Sequence, residues 1–324
     1  MTNLEQSHIL VTGGAGYIGA HVVRALNKAG FVPVVVDDLS SGKRENLNKA
    51  TIFFKGDFAD PKMLQKIFSN YNIGAVIHLA AKIDLNESLE KPLEYFDTNT
   101  VKTAHLLESI MDAGIKKIVF ASTAAVYGVQ KTSPIPESAL GENLAPYGQS
   151  KLLAEKIIES FTQATDLRAV AFRFFNASGS DFDKQIYSKH ESSLFSSIAN
   201  VLNGKVAQLT VYGTDFDTID GSGVRDYIHV LDIAEAIVSA VKYLFETSEH
   251  KFKLYNIGTG TGWSVKQVIA ATEKHLGKKL PVSFVGRRPV DVAIAVADNT
   301  KIKKELGFAP QYSDLETIVK TSWH

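Results

Sequence analysis

The chain has 324 residues, a length that predicts two joined domains, and its 35 basic and 35 acidic side chains leave no overall charge to draw it to nucleic acid or an anionic membrane. It contains no cysteine, which excludes disulfides, thiolate catalysis and cysteine-ligated metal sites. Residues 1–6 lack a signal-peptide pattern and no apolar run approaches about 18 residues, so we expect a cytoplasmic protein that binds a small molecule, no membrane and no metal ion.

The first predicted element is an apolar strand that leads into a glycine-rich turn and then a helix, with the sequence VTGGAGYIG at 11–19. Gly13 and Gly14 permit the turn, Gly16 lets the backbone approach a pyrophosphate, and Gly19 lets the helix lie against a sheet. The pattern predicts a dinucleotide-binding turn whose helix N–H groups point at an anion. A tight turn without a ligand is the alternative.

The second predicted strand, 32–36, ends in Asp37, about 20 residues after the turn, where an acid is expected to meet the adenosine ribose. Asp37 and Asp38 would repel a 2′-phosphate, and no arginine directly follows them. Lys43 and Arg44 lie a few residues later. The sequence therefore favours NAD over NADP.

Strands and helices then alternate at the spacing of right-handed βαβ units, which predicts an α/β fold with a doubly wound parallel sheet. In such sheets the ligand lies outside the carboxyl ends of the strands, so we expect the loops at 57–58, 80–81 and 122–123 to converge on one site. The predicted strands are 51–55, 75–79, 117–121 and 169–174, and the predicted helices are near 60–70, 92–113 and 146–165.

The composition changes after Asn176 to a long polar stretch followed by shorter elements. We expect residues 1–176 to form the dinucleotide-binding domain and 177–324 to form mainly a smaller, interwoven substrate-binding lobe. Segments within about 226–260 are expected to return to the first layer, because a helix near 228–245 and a strand near 255–258 resemble its elements. There is no internal repeat and no independent linker.

The second group of chemically informative residues is Tyr147 and Lys151, which share one helix face at a spacing of four. Lowering a phenol pKa from about 10 towards 7 needs about 4 kcal/mol, which a neighbouring ammonium and a cationic nicotinamide can supply in a closed site. Thr123, at the end of the fifth strand, can complete a Thr–Tyr–Lys set around one alcohol. For the Tyr-x-x-x-Lys spacing alone, an ordinary helix start is the alternative.

Seven motifs stand in one order along the chain: VTGGAGYIG, KPLEYFDTN at 91–99, STAAVYG at 122–128, PYGQSK at 146–151, RFFNASG at 173–179, DGSGVRDYIHVLD at 220–232 and an arginine pair at 287–288. With these motifs the chain resembles the extended short-chain dehydrogenase/reductase superfamily, whose sheet is Rossmann-like. Within that superfamily it is similar to the UDP-glucose 4-epimerase family over about residues 7 to 324.

The resemblance implies the functional positions. With the glycine turn, the expected cofactor-binding residues are Gly13, Gly16, Tyr17, Ile18, Gly19, Asp37, Asp38, Leu39, Ser40, Ser41, Gly42, Asp57, Phe58, Leu79, Ala80, Ala81, Asn99, Thr123, Tyr147, Lys151 and Phe175. The expected catalytic residues are Thr123, Tyr147 and Lys151. The expected substrate-binding residues are Thr123, Tyr147, Asn176, Leu194, Tyr212, Arg225, Arg288, Asp291 and Ala295. Two arginines for a diphosphate, an aromatic ring for uracil and an acid for a ribose hydroxyl suit these roles.

The implied reaction is inversion at C4 of a UDP-hexose with NAD, through a transient 4-keto sugar. Ala295 aligns with a position where a small residue accompanies acceptance of N-acetylated sugars, so UDP-GlcNAc and UDP-GalNAc are expected substrates besides UDP-glucose and UDP-galactose. The resemblance also implies a homodimer joined through the helices at 92–113 and 146–165.

Two departures from the family pattern concern the substrate pocket: Ser193 stands where asparagine or histidine is common, and Lys82-Ile83 replaces a pair that includes a polar residue at the second position. The alternatives are another sugar-nucleotide enzyme of the superfamily, namely a 4,6-dehydratase, a decarboxylase or a UDP-pentose 4-epimerase, and a non-catalytic NAD-binding protein. Dehydratases carry an Asp-Glu pair directly after the active-site threonine, whereas Ala124-Ala125 follows Thr123 here.

Overall fold

The computed structural model describes residues 7–130, 132–139, 141–142, 144–183, 185–188, 193–249, 251–288 and 291–323. The signal-peptide prediction concerns residues 1–6, which lie outside these ranges. The chain forms two compact units. The first unit contains the described residues of 7–128, 144–173 and 233–255, and the second unit contains those of 129–142, 174–232 and 256–323. Among the helices in these ranges, none combines the length and the apolar character needed to cross a bilayer.

The secondary structure alternates between strands and helices through residue 174. The strands are β1 (His8–Thr12), β2 (Val32–Asp37), β3 (Ile52–Lys55), β4 (Ile73–His78), β5 (Lys117–Thr123), β6 (Arg168–Phe174), β7 (Asn176–Ser178), β8 (Leu209–Tyr212), β9 (Val224–Arg225), β10 (Tyr227–His229), β11 (Phe252–Ile257), β12 (Trp263–Ser264), β13 (Val282–Val285) and β14 (Ile294–Ala295). The helices are α1 (Tyr17–Lys28), α2 (Pro61–Asn70), α3 (Leu85–Glu90), α4 (Pro92–Phe96), α5 (Lys102–Asp112), α6 (Pro146–Ala164), α7 (Leu194–Leu202), α8 (Val230–Glu246), α9 (Val265–Leu276), α10 (Thr300–Leu306) and α11 (Leu315–Thr321).

A seven-stranded sheet with the order β11-β6-β5-β4-β1-β2-β3 forms the centre of the first unit. β1 pairs in parallel with β2 and β4, β2 with β3, and β4 with β5. The strands nearest the middle are apolar along most of their length; Ile9, Leu10 and Val11 of β1 are fully buried. Continuous apolar runs are expected where helices cover both faces of a parallel sheet. The predicted α/β fold with a doubly wound parallel sheet is confirmed.

The predicted helix at 92–113 is not regular. α4 ends at Phe96, a π-helical turn covers Asp97–Val101, and α5 begins at Lys102. The wider turn directs Asn99 inward, where its side chain is 1% exposed. Apolar periodicity predicts that this segment is helical, but it does not predict the extra residue in the π-helical turn.

The described part of the second unit contains three small sheets and an apolar core of its own. β7 pairs with β10, β9 lies between β12 and β14, and β8 pairs with β13. Its core packs helices α7, α9 and α11 together around Phe195, Ile198, Val268, Ile318 and Trp323. The predicted helix near 228–245 and strand near 255–258 correspond to α8 and β11, with boundaries shifted by a few residues.

Candidate active site

The turn between β1 and α1 has the geometry of an anion cradle. Gly13 has a φ of +70°, and a Cβ there would lie 2.7 Å from the backbone nitrogen of Ala80. A Cβ on Gly19 would lie 2.1 Å from the carbonyl oxygen of Gly13. Gly16 is the N-cap residue of α1 and offers no side chain to the N–H groups of the first turn, which begins at Tyr17. The cradle therefore leaves space and oriented donors for a phosphate.

The Asp37 carboxylate fastens the loop after β2 to this cradle. Its Oδ2 accepts from the Ala15 backbone N–H at 2.9 Å, and its Oδ1 accepts from the Leu39 N–H at 2.8 Å. Burial raises the pKa of Asp37, and these two hydrogen bonds oppose the increase. Leu39 has a φ of +64°, a strained conformation for a non-glycine residue of the kind found at functional sites. Each carboxylate oxygen keeps a further lone pair, which suits a ribose hydroxyl.

Thr12 joins the cradle to the loop after β4. Its carbonyl oxygen accepts from the Leu79 N–H at 3.1 Å, and its hydroxyl accepts from the Ala80 N–H at 3.3 Å. The same hydroxyl lies 2.7 Å from Nδ1 of His78, whose Nε2 lies 3.0 Å from the Thr103 hydroxyl. Burial, with a smaller contribution from Lys151, lowers the pKa of His78 well below its usual value, so this ring is a neutral structural link.

The Thr–Tyr–Lys set predicted from the sequence lies at the carboxyl edge of the same sheet. Thr123 is the last residue of β5, and its hydroxyl hydrogen-bonds to that of Tyr147 in the first turn of α6. Lys151 follows one turn later, is 2% exposed, and places its Nζ 4.1 Å from the centroid of the Phe120 ring. Burial lowers the pKa of Lys151 to about 7, against an opposing contribution from Glu155.

The electrostatics of Tyr147 differ from the expectation of a lowered pKa. Burial raises the pKa of this phenol, and the hydrogen bond from Thr123 opposes the rise. Burial also disfavours the charged form of Lys151, so the lysine supplies less positive charge at neutral pH than the spacing alone suggests. The phenolate therefore needs a cation in addition to Lys151.

A buried ion pair fixes the elements that carry the catalytic set. The Glu155 carboxylate accepts hydrogen bonds from the Ser122 hydroxyl and from Nε and Nη2 of Arg173, the latter at 3.0 and 2.7 Å. Glu155 lies one turn after Lys151, and Ser122 directly precedes Thr123. The pair thus joins α6 to β5 and β6. Removing one partner of such a buried pair leaves an uncompensated charge.

Asn99, a predicted cofactor residue, has its amide engaged inside the first unit. Its Oδ1 accepts from the Lys82 N–H at 2.9 Å, while its Nδ2 donates to the Lys82 carbonyl and to the Ser150 hydroxyl. The Lys82 ammonium pairs with Glu94 and lies 3.8 Å from Glu87. Asn99 therefore holds the loop after β4 against the helix that carries Tyr147. The Lys82 ammonium interacts with the carboxylates of Glu94 and Glu87.

Asp57 and Phe58 follow β3 in the sequence and lie at its carboxyl end. Oδ1 of Asp57 accepts from the Ala59 N–H at 2.9 Å, and Oδ2 accepts from Nζ of Lys102 at 2.6 Å. The Phe58 ring centroid lies 4.8 Å from that of His78. Lys102 was not predicted as a site residue, because it is 45 positions from Asp57 and has no motif around it.

In the second unit, Arg288 contacts two other predicted substrate residues, Asp291 and Tyr212. Arg288 binds both carboxylate oxygens of Asp291 through Nε, at 3.2 and 3.0 Å, and one of them through Nη2 at 2.7 Å. Its guanidinium carbon lies 4.5 Å from the centroid of the Tyr212 ring, which is 42% exposed. The hydrogen bond to Asp291 raises the pKa of Arg288. A cation over an accessible aromatic ring suits a nucleoside diphosphate.

Arg225 and Ala295 are partners in the register between β9 and β14. The Ala295 carbonyl accepts from the Asp226 N–H at 3.0 Å, and the Asp226 carboxylate accepts from the N–H groups of Thr259, Gly260 and Ala297. Burial lowers the pKa of Arg225, and the charges of Asp291 and Arg288 act on it in opposite directions. Asn176, in turn, donates from Nδ2 to the Asp226 carbonyl.

Ser193, which departs from the family pattern, begins α7. Its hydroxyl accepts from the Ser196 N–H at 3.2 Å, so it serves as the N-cap residue of the helix. Leu194 is the first residue of α7 and packs partly buried against the core of the second unit. The neighbouring positions 191–192 lie outside the described residues.

A family model described as the NAD dependent epimerase/dehydratase family matches residues 9–258. The chain belongs to this family. It is 41% identical over 326 residues to the UDP-glucose 4-epimerase of Bacillus subtilis (strain 168), an alignment that covers 97% of this chain and 95% of that protein.

Solved structures agree with this membership. The UDP-glucose-4-epimerase from Stenotrophomonas maltophila, crystallised with bound NAD and formylated UDP-arabinopyranose, matches with a TM-score of 0.94 at 35% identity, covering 98% of this chain and 97% of that one. The UDP-Glc/GlcNAc 4-epimerase from Campylobacter jejuni matches with a TM-score of 0.85 at 36% identity, covering 98% of each chain.

In this member of the epimerase/dehydratase family, most predicted cofactor residues of the first unit share one edge of the sheet. The carboxyl ends of β2 and β5, the loops after β1 to β4 and the first two turns of α1 and α6 contain Gly13, Gly16, Tyr17, Ile18, Gly19, Asp37, Asp38, Leu39, Ser40, Ser41, Gly42, Asp57, Phe58, Leu79, Ala80, Ala81, Thr123, Tyr147 and Lys151. Asn99 lies in the π-helical turn, and Phe175 lies in the second unit, 7% exposed. Glu155 lies outside the motifs, but its position four residues after Lys151 could have indicated from the sequence that it lies on the same face of α6.

Proposed function

We propose that this chain catalyses the NAD-dependent epimerisation of UDP-hexoses at C4, interconverting UDP-glucose and UDP-galactose through a transient 4-keto sugar. The observation that carries the proposal is the Thr123–Tyr147 hydrogen bond with Lys151 one turn away, at the sheet edge that also holds the glycine cradle. Family membership and the relatives named UDP-glucose 4-epimerase support it.

The cradle residues fit a dinucleotide. The turn at Gly13 and Gly16 has no side chains that would occupy the space of a pyrophosphate, and Asp37 offers carboxylate lone pairs for a ribose. When bound, NAD supplies a hydride acceptor and a positive charge beside the reacting alcohol. The acidic pair Asp37 and Asp38 favours NAD over NADP, because a 2′-phosphate would meet two negative charges.

The proton chemistry is assigned to the first unit. Tyr147 accepts the proton of the sugar 4-hydroxyl when C4 is oxidised and returns a proton to the 4-oxygen when C4 is reduced. Thr123 donates a hydrogen bond to the tyrosyl oxygen and thereby favours the phenolate. Lys151, buried beside this pair, orients the site and contributes positive charge in its protonated fraction.

Nucleotide binding is assigned to the second unit. Arg225 and Arg288 are proposed to hold the diphosphate, Tyr212 to contact the uracil face, and Asp291 to accept from a ribose hydroxyl. Arg288 already binds Asp291, so the acid holds the guanidinium in one orientation before the diphosphate arrives. Such a grip on UDP leaves the hexose free to present either face, as inversion requires.

Three further assignments belong to the proposal. Asn176, Leu194 and Ala295 contribute to the sugar pocket, and the small side chain at Ala295 extends the substrates to UDP-GlcNAc and UDP-GalNAc. The UDP-Glc/GlcNAc epimerase among the structural relatives supports this breadth. We also propose that the protein is cytoplasmic. We propose further that it forms a homodimer through α4, α5 and α6, because Leu93, Val101 and Leu153 in this region are 82%, 46% and 47% exposed.

Incubation of the purified protein with UDP-galactose tests the proposal. Chromatography of the products should reveal UDP-glucose, without net formation of reduced NAD. A 4-keto-6-deoxy product would indicate a dehydratase instead, although Ala124 and Ala125 after Thr123 supply neither an acid nor a base for that elimination. Recovery of unchanged UDP-galactose would contradict the epimerase assignment.

A further inference from the structure

Lys102 lies at the carboxyl edge of the first unit's sheet, and the reaction proposed above does not use it. Its Nζ lies 2.6 Å from Oδ2 of Asp57 and 4.0 Å from Oδ2 of Asp97. The Lys102 and Asp57 side chains are 31% and 43% exposed, and exposed ion pairs contribute little to folding. The pair therefore contributes little to stability.

The strand order places this pair near the adenine end of a bound dinucleotide. β1 carries the glycine cradle, and the adjacent β2 carries Asp37 for the adenosine ribose. β3 follows, with Lys55 opposite Asp37 in the register and Asp57 two residues later. The Gly56 N–H donates to the Asp37 carbonyl at 3.1 Å, which ties the two loops together. The base attached to that ribose is thus expected next to Asp57.

The chemistry of Asp57 suits one kind of purine. Burial alone would raise the pKa of Asp57, but hydrogen bonds from Lys102 and the Ala59 N–H outweigh it, and the pKa lies below its usual value. The ionised carboxylate only accepts hydrogen bonds, and each oxygen retains a lone pair beyond these two contacts. It matches the 6-amino group of adenine, a donor, and repels the 6-oxo group of hypoxanthine.

We propose that Lys102 is a positioning residue that makes the cofactor site select adenine, because it holds the Asp57 carboxylate where a 6-aminopurine can donate to it. The inference rests on the dinucleotide site of the proposed function. Asp38 and Asp97 also act on the Lys102 ammonium, so it is the cation among three carboxylates. Without the Lys102 ammonium, Oδ2 of Asp57 loses its partner at 2.6 Å, and the carboxylate, held then through Oδ1 by the Ala59 N–H, is free to rotate away from its present orientation.

A competition experiment tests this role without any sugar substrate. The purified protein is equilibrated with equal concentrations of NAD and nicotinamide hypoxanthine dinucleotide, and the bound dinucleotides are quantified by mass spectrometry. The wild type should retain NAD in excess on the order of tenfold, as expected for one hydrogen bond to a charged group. Lys102→Met should bring the ratio close to one, and Lys102→Arg, which keeps a cation, should preserve most of the preference.

Two further variants complete the design. Asp57→Asn should abolish or reverse the preference, because its amide can donate to a 6-oxo group. Lys66→Met, at an exposed position on α2, is the matched control and should leave the ratio unchanged. A lysine that served folding alone would weaken both dinucleotides equally, so an unchanged ratio in Lys102→Met would overturn the proposal, as would a wild-type ratio near one.

The outcome separates this inference from the proposed function. A protein that leaves UDP-galactose unchanged but has a Lys102-dependent ratio would contradict the epimerase assignment and support the role of Lys102. An active epimerase whose ratio is independent of Lys102 would do the reverse. Failure of the wild type to bind either dinucleotide would overturn both.

Discussion

Tyr147 and Lys151, the two side chains at the centre of the proposed chemistry, are both buried in a way that disfavours their charged forms. Burial disfavours the phenolate of Tyr147 and the ammonium of Lys151 alike, so both pKa values move towards the neutral form. The hydrogen bond from Thr123 offsets part of this effect for the phenol. A phenolate therefore forms readily only when a further cation is close by, which couples proton abstraction to occupancy of the cofactor site.

We predict that Tyr147→Phe lowers kcat by at least roughly 100-fold, the usual contribution of a positioned proton acceptor, while the dissociation constant for UDP changes little. Steady-state kinetics with UDP-galactose and calorimetric titration with UDP measure the two quantities. Tyr71→Phe is a suitable control, since Tyr71 directly follows α2 and precedes β4, at the opposite edge of the sheet. Near-normal turnover in Tyr147→Phe would rule out the phenol as the base.

Lys151 is predicted to titrate near neutral pH in the nucleotide-free protein, because burial lowers its pKa to about 7. The unfolded chain keeps an ordinary lysine pKa, so it binds more protons than the folded chain above pH 7, and this residue's contribution to stability rises with pH from there. NMR of 13Cε-labelled lysines should reveal one signal that titrates near pH 7 and is absent from Lys151→Met. A full set of signals titrating above pH 9 would contradict the prediction.

Ala295 is predicted to control which sugars are accepted. A tyrosine at this position would fill a volume comparable to an acetamido group, and overpacking typically costs about 1–3 kcal/mol. We therefore expect the wild type to turn over UDP-GlcNAc as well as UDP-glucose, and Ala295→Tyr to lose mainly the first activity. The comparison requires kcat/KM for both substrates in both proteins. Equal losses on both substrates, or a wild type inactive on UDP-GlcNAc, would mean that other residues shape the pocket.

Among the helices and strands, α7 begins at a residue that departs from the family pattern, Ser193. Substitutions there distinguish a structural role from a direct contact with the substrate. Its hydroxyl caps α7, so Ser193→Ala should lower the free energy of unfolding by about 1 kcal/mol, while Ser193→Asn, another good N-cap residue, should stay close to the wild type. Urea unfolding of the three proteins measures this. An unchanged unfolding free energy in Ser193→Ala, together with a raised KM, would favour a direct contact with the sugar.

The sequence predicts those elements whose signal is local. The strands from β1 to β6 were predictable because each has a mainly apolar run, as strands of a parallel sheet covered by helices require, and the glycine turn because only glycine allows such close approach of backbones. The π-helical turn at Asp97–Val101 was not, since apolar spacing does not reveal one extra residue.

The same distinction applies to the site. Asp37, Tyr147 and Lys151 could be identified from their spacing or their position at the end of an element. The internal hydrogen bonds of Asn99 and the Asp57–Lys102 pair could not, because each depends on partners that are distant in sequence and brought together only by packing.

For the whole molecule, apolar side chains on the surface of the first unit favour self-association. Leu93 in α4 is 82% exposed and Leu153 in α6 is 47% exposed. If these helices packed against the same helices of a second subunit, both leucines would be buried in a symmetric interface. We predict that the wild type sediments as a dimer at micromolar concentration and that Leu93→Glu and Leu153→Glu shift it towards the monomer. Ile219→Glu is the matched control, because Ile219 is 86% exposed but belongs to the second unit. If Ile219→Glu dissociated the dimer while both leucine variants kept it, the interface would lie on the second unit; a wild type that stayed monomeric would exclude the dimer altogether.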